Sequence, residues 1–230
     1  IGVNMKIYED FYKSVIYDKR YLYILEGLKN TLLIALGAVV IGVIIGLIVA
    51  IIRDRYDKTG KGKISNFIAS GYVTIIRGTP ALVQLMIIYY VIFKSISINL
   101  VLVGILSFGI NSGAYVSEIM RAGFNSVDIG QMEAGFSLGL GYNRCMKYII
   151  LPQAIKNILP ALGNEFITLV KETSVAGYIG IVELTKASDI IASNTYNYFF
   201  PLIITALIYL FITSVLAKIL GMFERKFNHA

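Results

Sequence analysis

The stretch EAGFSLGLGYNRCMKYIILP, residues 133–152, interrupts a chain that is otherwise rich in long apolar segments. It begins with a carboxylate, contains three glycines and two cations, and ends at a proline. Just before and within it, Met132, Phe136 and Leu140 recur at the spacing of one helix face. The pattern predicts a short helix with an exposed apolar stripe, which either a soluble partner or the lipid surface would cover.

The composition of the chain indicates an integral membrane protein. Of its 230 residues, 57% are hydrophobic and only 15% are charged, and the mean hydropathy is +0.72. Such values do not fit an ordinary soluble surface. A membrane helix needs about 20 apolar residues to cross roughly 30 Å of hydrocarbon. Three runs without a charged residue are long enough: residues 31–52, 95–117 and 190–217.

We predict an all-α membrane protein in which residues 1–230 form a single transmembrane domain. Residues 64–94 are long enough to span only if the helix includes Arg77 and Pro80, and residues 148–170 only if the helix includes Lys156 and Glu165. The five predicted transmembrane helices are residues 21–52, 64–94, 97–118, 148–170 and 198–217, with a cytoplasmic loop at residues 124–147. Before them, residues 6–23 are predicted as either an amphipathic helix at the membrane interface or an exposed polar leader.

The charges of the loops predict the orientation. The connector at residues 53–63 has five Lys or Arg residues, whereas the next connector, around Lys94, has one. Because basic loops are retained on the cytoplasmic side, we expect the N-terminus outside and the C-terminus in the cytoplasm. The net charge of +7 is explained by this topology, so nucleic acid need not be a partner. The single cysteine, Cys145, allows no internal disulfide and has no metal-ligand neighbours.

The opening stretch resembles the EAA motif of the membrane subunits of bacterial ABC importers. The matching positions are Glu133, Ala134, Gly139, Ile149, Leu151 and Pro152, and Gly135 stands where the family usually has a second alanine. The resemblance implies a short coupling helix that sits in a cleft of the ATP-binding subunit. The residues implied to make or shape this contact are Glu133, Ala134, Gly135, Gly139 and Gly141. We call residues 124–147 the coupling segment.

Four stretches are similar to the polar-amino-acid permeases, and the resemblance extends over nearly the whole chain. They are IIRGTPALVQL (residues 75–85), NSGAYVSEIMRAG (111–123), GQMEA (130–134) and LVKETSVA (169–176). The resemblance implies a five-span subunit of the type I fold in the bacterial inner membrane. Its implied partners are a second permease subunit, here expected as a homodimer, two copies of an ATP-binding cassette subunit, and an extracytoplasmic amino-acid-binding protein. ATP and Mg would bind the ATPase, and no cofactor is expected on this chain.

Polar and irregular positions inside the predicted spans indicate a translocation path. Arg77 is costly in lipid, and backbone broken by Gly78 and Pro80 is tolerated at depth only when it is buried or lines a cavity. The alternative is that Arg77 extends to the headgroups and Pro80 is a simple kink. We expect unwound backbone near residues 71–74 to hold the carboxylate and ammonium groups of the amino acid. The predicted substrate-binding residues are Gly71, Tyr72, Thr74, Arg77, Asn111, Ser112, Tyr115 and Glu165. Thr74 departs from the family, because many of its members have an acidic residue there.

Glu165 is the most informative of these residues because it lies inside a span with no cation three or four residues away. An intramembrane carboxylate needs a cationic partner. Among the resembling permeases this position tends to be acidic when the cargo is basic, which implies arginine, lysine or histidine. A neutral or acidic polar amino acid such as glutamine is the alternative cargo. The alternative role for Glu165 is a structural ion pair with Arg77 or Lys171.

Two other classes of protein are the alternatives, an ion-coupled secondary transporter and an intramembrane enzyme. The sequence lacks a G-x-x-x-x-G-K-[ST] phosphate-binding loop, so ATP hydrolysis would belong to another chain and this one would not be an enzyme. An ion-coupled secondary transporter is usually larger and built from repeated halves. An intramembrane enzyme would need a convergent catalytic set, of which only Glu165 is available.

Overall fold

The structure, a computed structural model, describes residues 2–228, with side chains described for residues 7–225. These residues form ten α-helices and no strand: α1 Gly2–Val15, α2 Tyr21–Thr59, α3 Lys63–Arg77, α4 Ala81–Ile87, α5 Leu100–Asn125, α6 Ile129–Ser137, α7 Tyr142–Cys145, α8 Leu151–Glu172, α9 Leu184–Thr195 and α10 Phe199–Asn228. Tighter 3₁₀ turns lie at Tyr17–Lys19 and Thr173–Ile179, and π turns lie at Ile88–Ile92 and Met146–Ile150. The all-α prediction is confirmed, and the N-terminal segment is helical.

The longest helix, α2, packs along α5. Its 39 residues extend about 58 Å at about 1.5 Å per residue, well beyond a hydrocarbon layer of roughly 30 Å. The two helices approach closely where α2 has Gly42 and Gly46. A Cβ atom on Gly42 would lie 2.8 Å from the Ser112 hydroxyl, and one on Gly46 would lie 2.5 Å from the Val116 side chain. Small residues permit this approach, as in other membrane helix pairs.

Two buried clusters fill the interior. One surrounds Ile34, Leu85, Phe108 and Leu169, and the other surrounds Ala50, Met120, Tyr142 and Ile158. The first cluster joins α2, α4, α5 and α8, and the second joins the end of α2 to α5, α7 and α8. Large apolar side chains also remain exposed on the outer faces of α2 and α10, as expected where lipid covers a helix.

The predicted spans differ from the observed helices in their bounds and in one break. Among the described residues, three helical segments are long and apolar enough to cross a membrane: Tyr17–Thr59, Leu100–Asn125 and Phe199–Arg225. The predicted span at residues 64–94 is not one helix but two, Lys63–Arg77 and Ala81–Ile92, bent by 109° at the break. Pro80 lacks the N–H that would continue the helix, which explains the break. The fourth predicted span, residues 148–170, lies in α8, whose composition alone does not identify it as a span. The count of five therefore stays a prediction.

Candidate functional site

Buried amide groups hold the break between α3 and α4. Because Pro80 has no N–H, the carbonyl of Ile76 loses its helical partner, and the side-chain amide of Gln84 donates to that carbonyl at 2.8 Å. The same amide donates to the carbonyl of Thr79 at 3.0 Å and to its hydroxyl at 2.8 Å. Asn111 in turn donates to the Gln84 carbonyl oxygen at 2.9 Å. The amide donor of Asn111, a predicted substrate ligand, is thus engaged with the broken segment. Gln84 was not predicted, although it is the one polar residue in the run ALVQLMII.

The unwound backbone does not lie at residues 71–74, where we expected it, since α3 continues to its end at Arg77. On this helix the Tyr72 hydroxyl donates to the carbonyl of Ile110 on α5 at 2.5 Å. A Cβ atom on Gly71 would meet nothing within 4 Å, and Thr74 is exposed. Only Tyr72 among these three predicted residues therefore contacts α5 directly through a hydrogen bond, while the other two face open space.

Arg77 and Tyr115 lie together at the end of α3. The guanidinium carbon of Arg77 is 5.4 Å from the centroid of the Tyr115 ring, within the range of a cation–π contact. No ion pair among residues 7–225 includes Arg77. The guanidinium is exposed and has no carboxylate partner in this part of the chain.

Glu165 faces α5 from the middle of α8. Its carboxylate oxygen Oε1 accepts a hydrogen bond of 2.7 Å from the hydroxyl of Ser112, which is fully buried against Gly42. Within residues 7–225 no ion pair includes this carboxylate, so the alternative pairing with Arg77 or Lys171 is not found there. The half-buried carboxylate is held by a neutral hydroxyl and lacks a cation.

A second buried carboxylate, Glu183, has a different environment. It lies in the turn before α9, outside the predicted spans, and its two oxygens accept the backbone N–H groups of Thr185 and Lys186 at 2.7 and 2.6 Å. The Tyr209 hydroxyl lies 3.4 Å away. Burial raises the pKa of the Glu183 carboxyl to about 7 in spite of these hydrogen bonds. Glu183 is a helix cap whose acceptors are used within the protein.

A short helix, α6, lies in the coupling segment as the sequence predicted. The side chain of Asp128 caps its start by accepting from the backbone N–H of Gly130 at 2.7 Å. Gly139 follows its end with a φ of +77°, a left-handed conformation that favours glycine. The backbone N–H of Leu140 then donates to the carbonyl of Gly135 at 3.0 Å, which closes the turn.

The exposed apolar face of α6 is not the one that we predicted. Met132 is only 4% exposed, because this face of the helix packs onto α7 and the π turn that follows it. The exposed apolar residues are Ile129 and Leu138, at 58% and 81%, with Phe136 partly exposed between them. Glu133 and Ala134 are also exposed, as are Gly139 and Gly141.

The glycine that departs from the EAA motif has a packing partner. A Cβ atom on Gly135 would lie 2.6 Å from the sulfur of Cys145 and 3.0 Å from Ile149. Cys145 is fully buried, so its sulfur occupies the space that a second alanine would need. Gly135 and Cys145 therefore fit together as a pair.

Polar contacts fasten the end of α2 to the coupling segment and to α5. The hydroxyl of Tyr142, the first residue of α7, donates to the carboxylate of Asp54 on α2 at 2.8 Å. Burial and the neighbouring Asp54 raise the pKa of the Tyr142 hydroxyl, which keeps it protonated as a donor. Two ion pairs join α2 to α5, Arg53 with Glu118 and Asp57 with Arg121, the second at 2.7 Å. The sequence analysis identified none of these contacts.

The chain matches, over residues 42–229, the family described as binding-protein-dependent transport system inner membrane component. It is 42% identical over 212 residues to a Rickettsia prowazekii protein provisionally named glutamine transport system permease protein GlnP, covering 91% of this chain and 95% of that one. It is 40% identical over 211 residues to the arginine transport system permease protein ArtQ of Bacillus subtilis, covering 89% and 92%. A crystal structure of an amino acid ABC transporter with histidines superposes with a TM-score of 0.82 at 45% identity, covering 90% and 95%. The methionine ABC transporter MetNI, at 18% identity and a TM-score of 0.79 over 92% and 99%, shares the fold.

Proposed function

The chain belongs to the family of binding-protein-dependent transport system inner membrane components and is an amino-acid ABC transporter permease, and we propose that its cargo has a cationic side chain. Glu165 is the observation that carries this proposal, because its carboxylate is half buried beside the neutral hydroxyl of Ser112. A guanidinium, ammonium or imidazolium group would complete the pair, whereas a neutral side chain would leave the carboxylate without a cation. Such a difference is worth about 1–3 kcal/mol.

Other predicted residues supply partners for the remainder of an amino acid. The guanidinium of Arg77, next to Tyr115 and without a carboxylate partner within residues 7–225, suits the carboxylate of the cargo. Tyr72 approaches α5 one residue before Asn111. We assign Asn111 a supporting role, since its amide and Gln84 hold the broken segment beside the path.

Glutamine is the second candidate cargo. The relatives differ in the amino acid that their names give, since one is named for glutamine and another for arginine. The Ser112 hydroxyl and the Glu165 carboxylate could also bind a side-chain amide, which has both donors and an acceptor. This pairing lacks the charge attraction of the first, so we rank it second.

The permease works with a separate ATPase chain and a substrate-binding protein, as its family implies. We propose that α6 docks on the ATPase through its exposed face, which includes Glu133, Ala134 and Leu138. Gly139 and Gly141 would keep the end of the helix compact, and Gly135 would hold it close to the rest of the permease.

We further propose the assembly and its orientation. Two copies of this chain would form a homodimer with two ATPase subunits, and ATP and Mg would bind the ATPase alone. The five basic residues at positions 53–63 place that connector, and with it the coupling segment, in the cytoplasm. The N-terminus would then lie outside, in a multi-pass protein of the inner membrane.

The experiment compares wild type with Glu165→Gln in vesicles that contain the ATPase and the binding protein. We expect arginine uptake and arginine-stimulated ATP hydrolysis to fall by about tenfold or more, while the response to glutamine is retained or rises. Glu26→Gln is the control, since it removes an exposed carboxylate on α2 and leaves the Ser112 contact in place. An unchanged arginine response in Glu165→Gln at equal amounts of reconstituted protein would show that Glu165 is structural.

A further inference from the structure

A cavity of about 410 Å³ with charged and polar residues among its walls lies at the end of the molecule opposite α6. One wall comes from the end of α1 and the turn before α2, with Lys13, Ser14 and Arg20. The other wall comes from the turn between α9 and α10, with Asn194 and Asn197. The volume falls within the range of roughly 300–1,000 Å³ that is usual for ligand pockets.

One polar group in the wall lacks a partner. Ser14 is 1% exposed, and its hydroxyl has no hydrogen bond within the described part of the chain. A buried hydroxyl without a partner is unfavourable, but its neighbours shield this oxygen from the cavity, so a ligand would have to displace them to bond to it.

The cavity presents charges of both signs. Lys13 and Arg20 are cations, and Arg20 is held in place because its Nη1 donates to the carbonyl of Lys13 at 2.5 Å. Asp10 lines the same cavity, and the final carbonyl groups of α1 and α9 add partial negative charge. The two kinds of charge roughly balance. A cavity of this kind suits a zwitterion better than a simple anion.

The two turns that build the cavity are conformationally costly. Within the described residues, the non-glycine positions with positive φ are Asp18, Lys19 and Tyr196, at 55°, 53° and 53°. The first two lie in the turn before α2, and the third lies between Asn194 and Asn197. Strained backbone of this kind clusters at functional sites in proteins. Both turns that border the cavity thus contain strained backbone.

The position of the cavity along α10 corresponds to the surface of the bilayer. The uncharged residues 199–217 of this helix extend about 28 Å at about 1.5 Å per residue, which matches the hydrocarbon layer, and Asn197 lies two residues before them. Tyr12 and Tyr17, which also line the cavity, are 43% and 56% exposed. Tyrosines are enriched at the level of lipid headgroups.

We propose that this cavity binds the aminoethyl phosphate headgroup of a membrane lipid in the leaflet opposite the coupling segment. The phosphate contacts Lys13 and Arg20. The ammonium contacts Asp10 and the carbonyl groups at the helix ends. The site is separate from Glu165 and does not depend on the identity of the transported amino acid. The same chemistry is present in soluble phosphoethanolamine, so the experiment includes both sources.

The test measures lipid retained by the purified permease–ATPase complex, by native mass spectrometry after incubation with phosphatidylethanolamine, phosphatidylglycerol or phosphatidylcholine. We expect phosphatidylethanolamine to be retained in preference to the other two. Retention should fall by about tenfold or more in Lys13→Gln and in the double variant with Arg20→Gln. Asp10→Asn should reduce the preference for ethanolamine over glycerol. Lys29→Gln, which removes an exposed cation further along α2, is the control and should change nothing.

Two further arms distinguish the source of the headgroup. Soluble phosphoethanolamine that displaces the lipid only at large excess supports a membrane ligand, whereas tight binding of the soluble compound alone would assign the same chemistry to a soluble source. Displacement by free arginine or glutamine at low concentration would overturn the proposal. So would equal lipid retention by wild type and Lys13→Gln, provided that the two proteins have the same thermal midpoint without lipid.

Discussion

Charged side chains at the end of α2 and in the middle of α8 have opposite environments. Near the coupling segment, Arg53 pairs with Glu118, Asp57 pairs with Arg121, and Asp54 accepts a hydrogen bond from a tyrosine. In α8, Glu165 has only the hydroxyl of Ser112, with no ion pair in residues 7–225. Charges that are paired within the chain hold helices together, whereas a carboxylate without a cation remains available to a ligand.

Glu183 shows that burial by itself does not mark a ligand site. It is more deeply buried than Glu165, yet both of its oxygens accept backbone N–H groups and cap α9. What distinguishes Glu165 from Glu183 is therefore its lack of backbone N–H donors and not its depth. The comparison predicts that changes at the coupling end alter assembly or stability, while changes at Glu165 alter the choice of cargo.

The largest expected effect on transport is at Gly139, where a bulky charged side chain would disrupt the coupling segment without touching the Glu165 site. Gly139→Glu should abolish transport but leave membrane insertion and amino-acid binding at Glu165 intact, because both the charge and the backbone strain fall in the turn proposed to dock on the ATPase. Asparagine tolerates the left-handed conformation at this position, so Gly139→Asn is the control and should retain most activity. Amino-acid uptake and amino-acid binding, measured in the same preparation of each variant, test this prediction. Normal transport by Gly139→Glu would exclude docking at this turn.

Removal of the Tyr142 hydroxyl should lower stability. Tyr142→Phe leaves the buried Asp54 carboxylate without its donor, which costs about 1–3 kcal/mol. The thermal midpoint of the purified protein should fall, while the ratio of arginine to glutamine uptake stays the same. Tyr148→Phe is the control, since Tyr148 is exposed and lies in the π turn that follows α7. A changed cargo ratio in Tyr142→Phe would contradict the separation of the two regions.

A smaller effect is expected where the EAA motif has glycine in place of alanine. Gly135→Ala gains about 1 kcal/mol of helix propensity but forces a methyl group against the Cys145 sulfur, and overpacking costs about 1–3 kcal/mol. We therefore expect Gly135→Ala to be neutral or destabilising in the wild-type background. In a Cys145→Ala background the same substitution should be stabilising. The thermal midpoints of wild type, the two single variants and the double variant give the coupling between Gly135 and Cys145. Equal effects of Gly135→Ala in both backgrounds would contradict the pairing.

Much of the fold follows from the sequence because hydropathy and helical spacing are local properties. Three apolar helices, the short helix after Asp128 and the glycine turn that follows it could all be predicted. The contacts between helices could not. Tyr142 and Asp54 are 88 residues apart, and Gln84 and Asn111 are 27 residues apart, so only the packing register brings each pair together.

The prediction for α6 was wrong at Met132 for a related reason. An apolar stripe identifies one face of a helix but does not tell whether the rest of the chain or a partner covers it. The break at Gly78 and Pro80 was predicted correctly, but the unwound backbone expected at residues 71–74 is helical, because Pro80 stops a helix without unwinding the backbone before it. Glu165 was identified correctly as lying inside the helical part, while its contact with Ser112 required the structure.

The central claim is that Glu165 selects a cationic side chain, and arginine and citrulline test it most directly because citrulline is nearly the same shape without the charge. Binding of both to the purified permease–ATPase complex, without the binding protein, should be measured for wild type and Glu165→Gln. We predict that wild type prefers arginine by about tenfold or more and that Glu165→Gln binds the two nearly equally. The same preference in both proteins would contradict the claim.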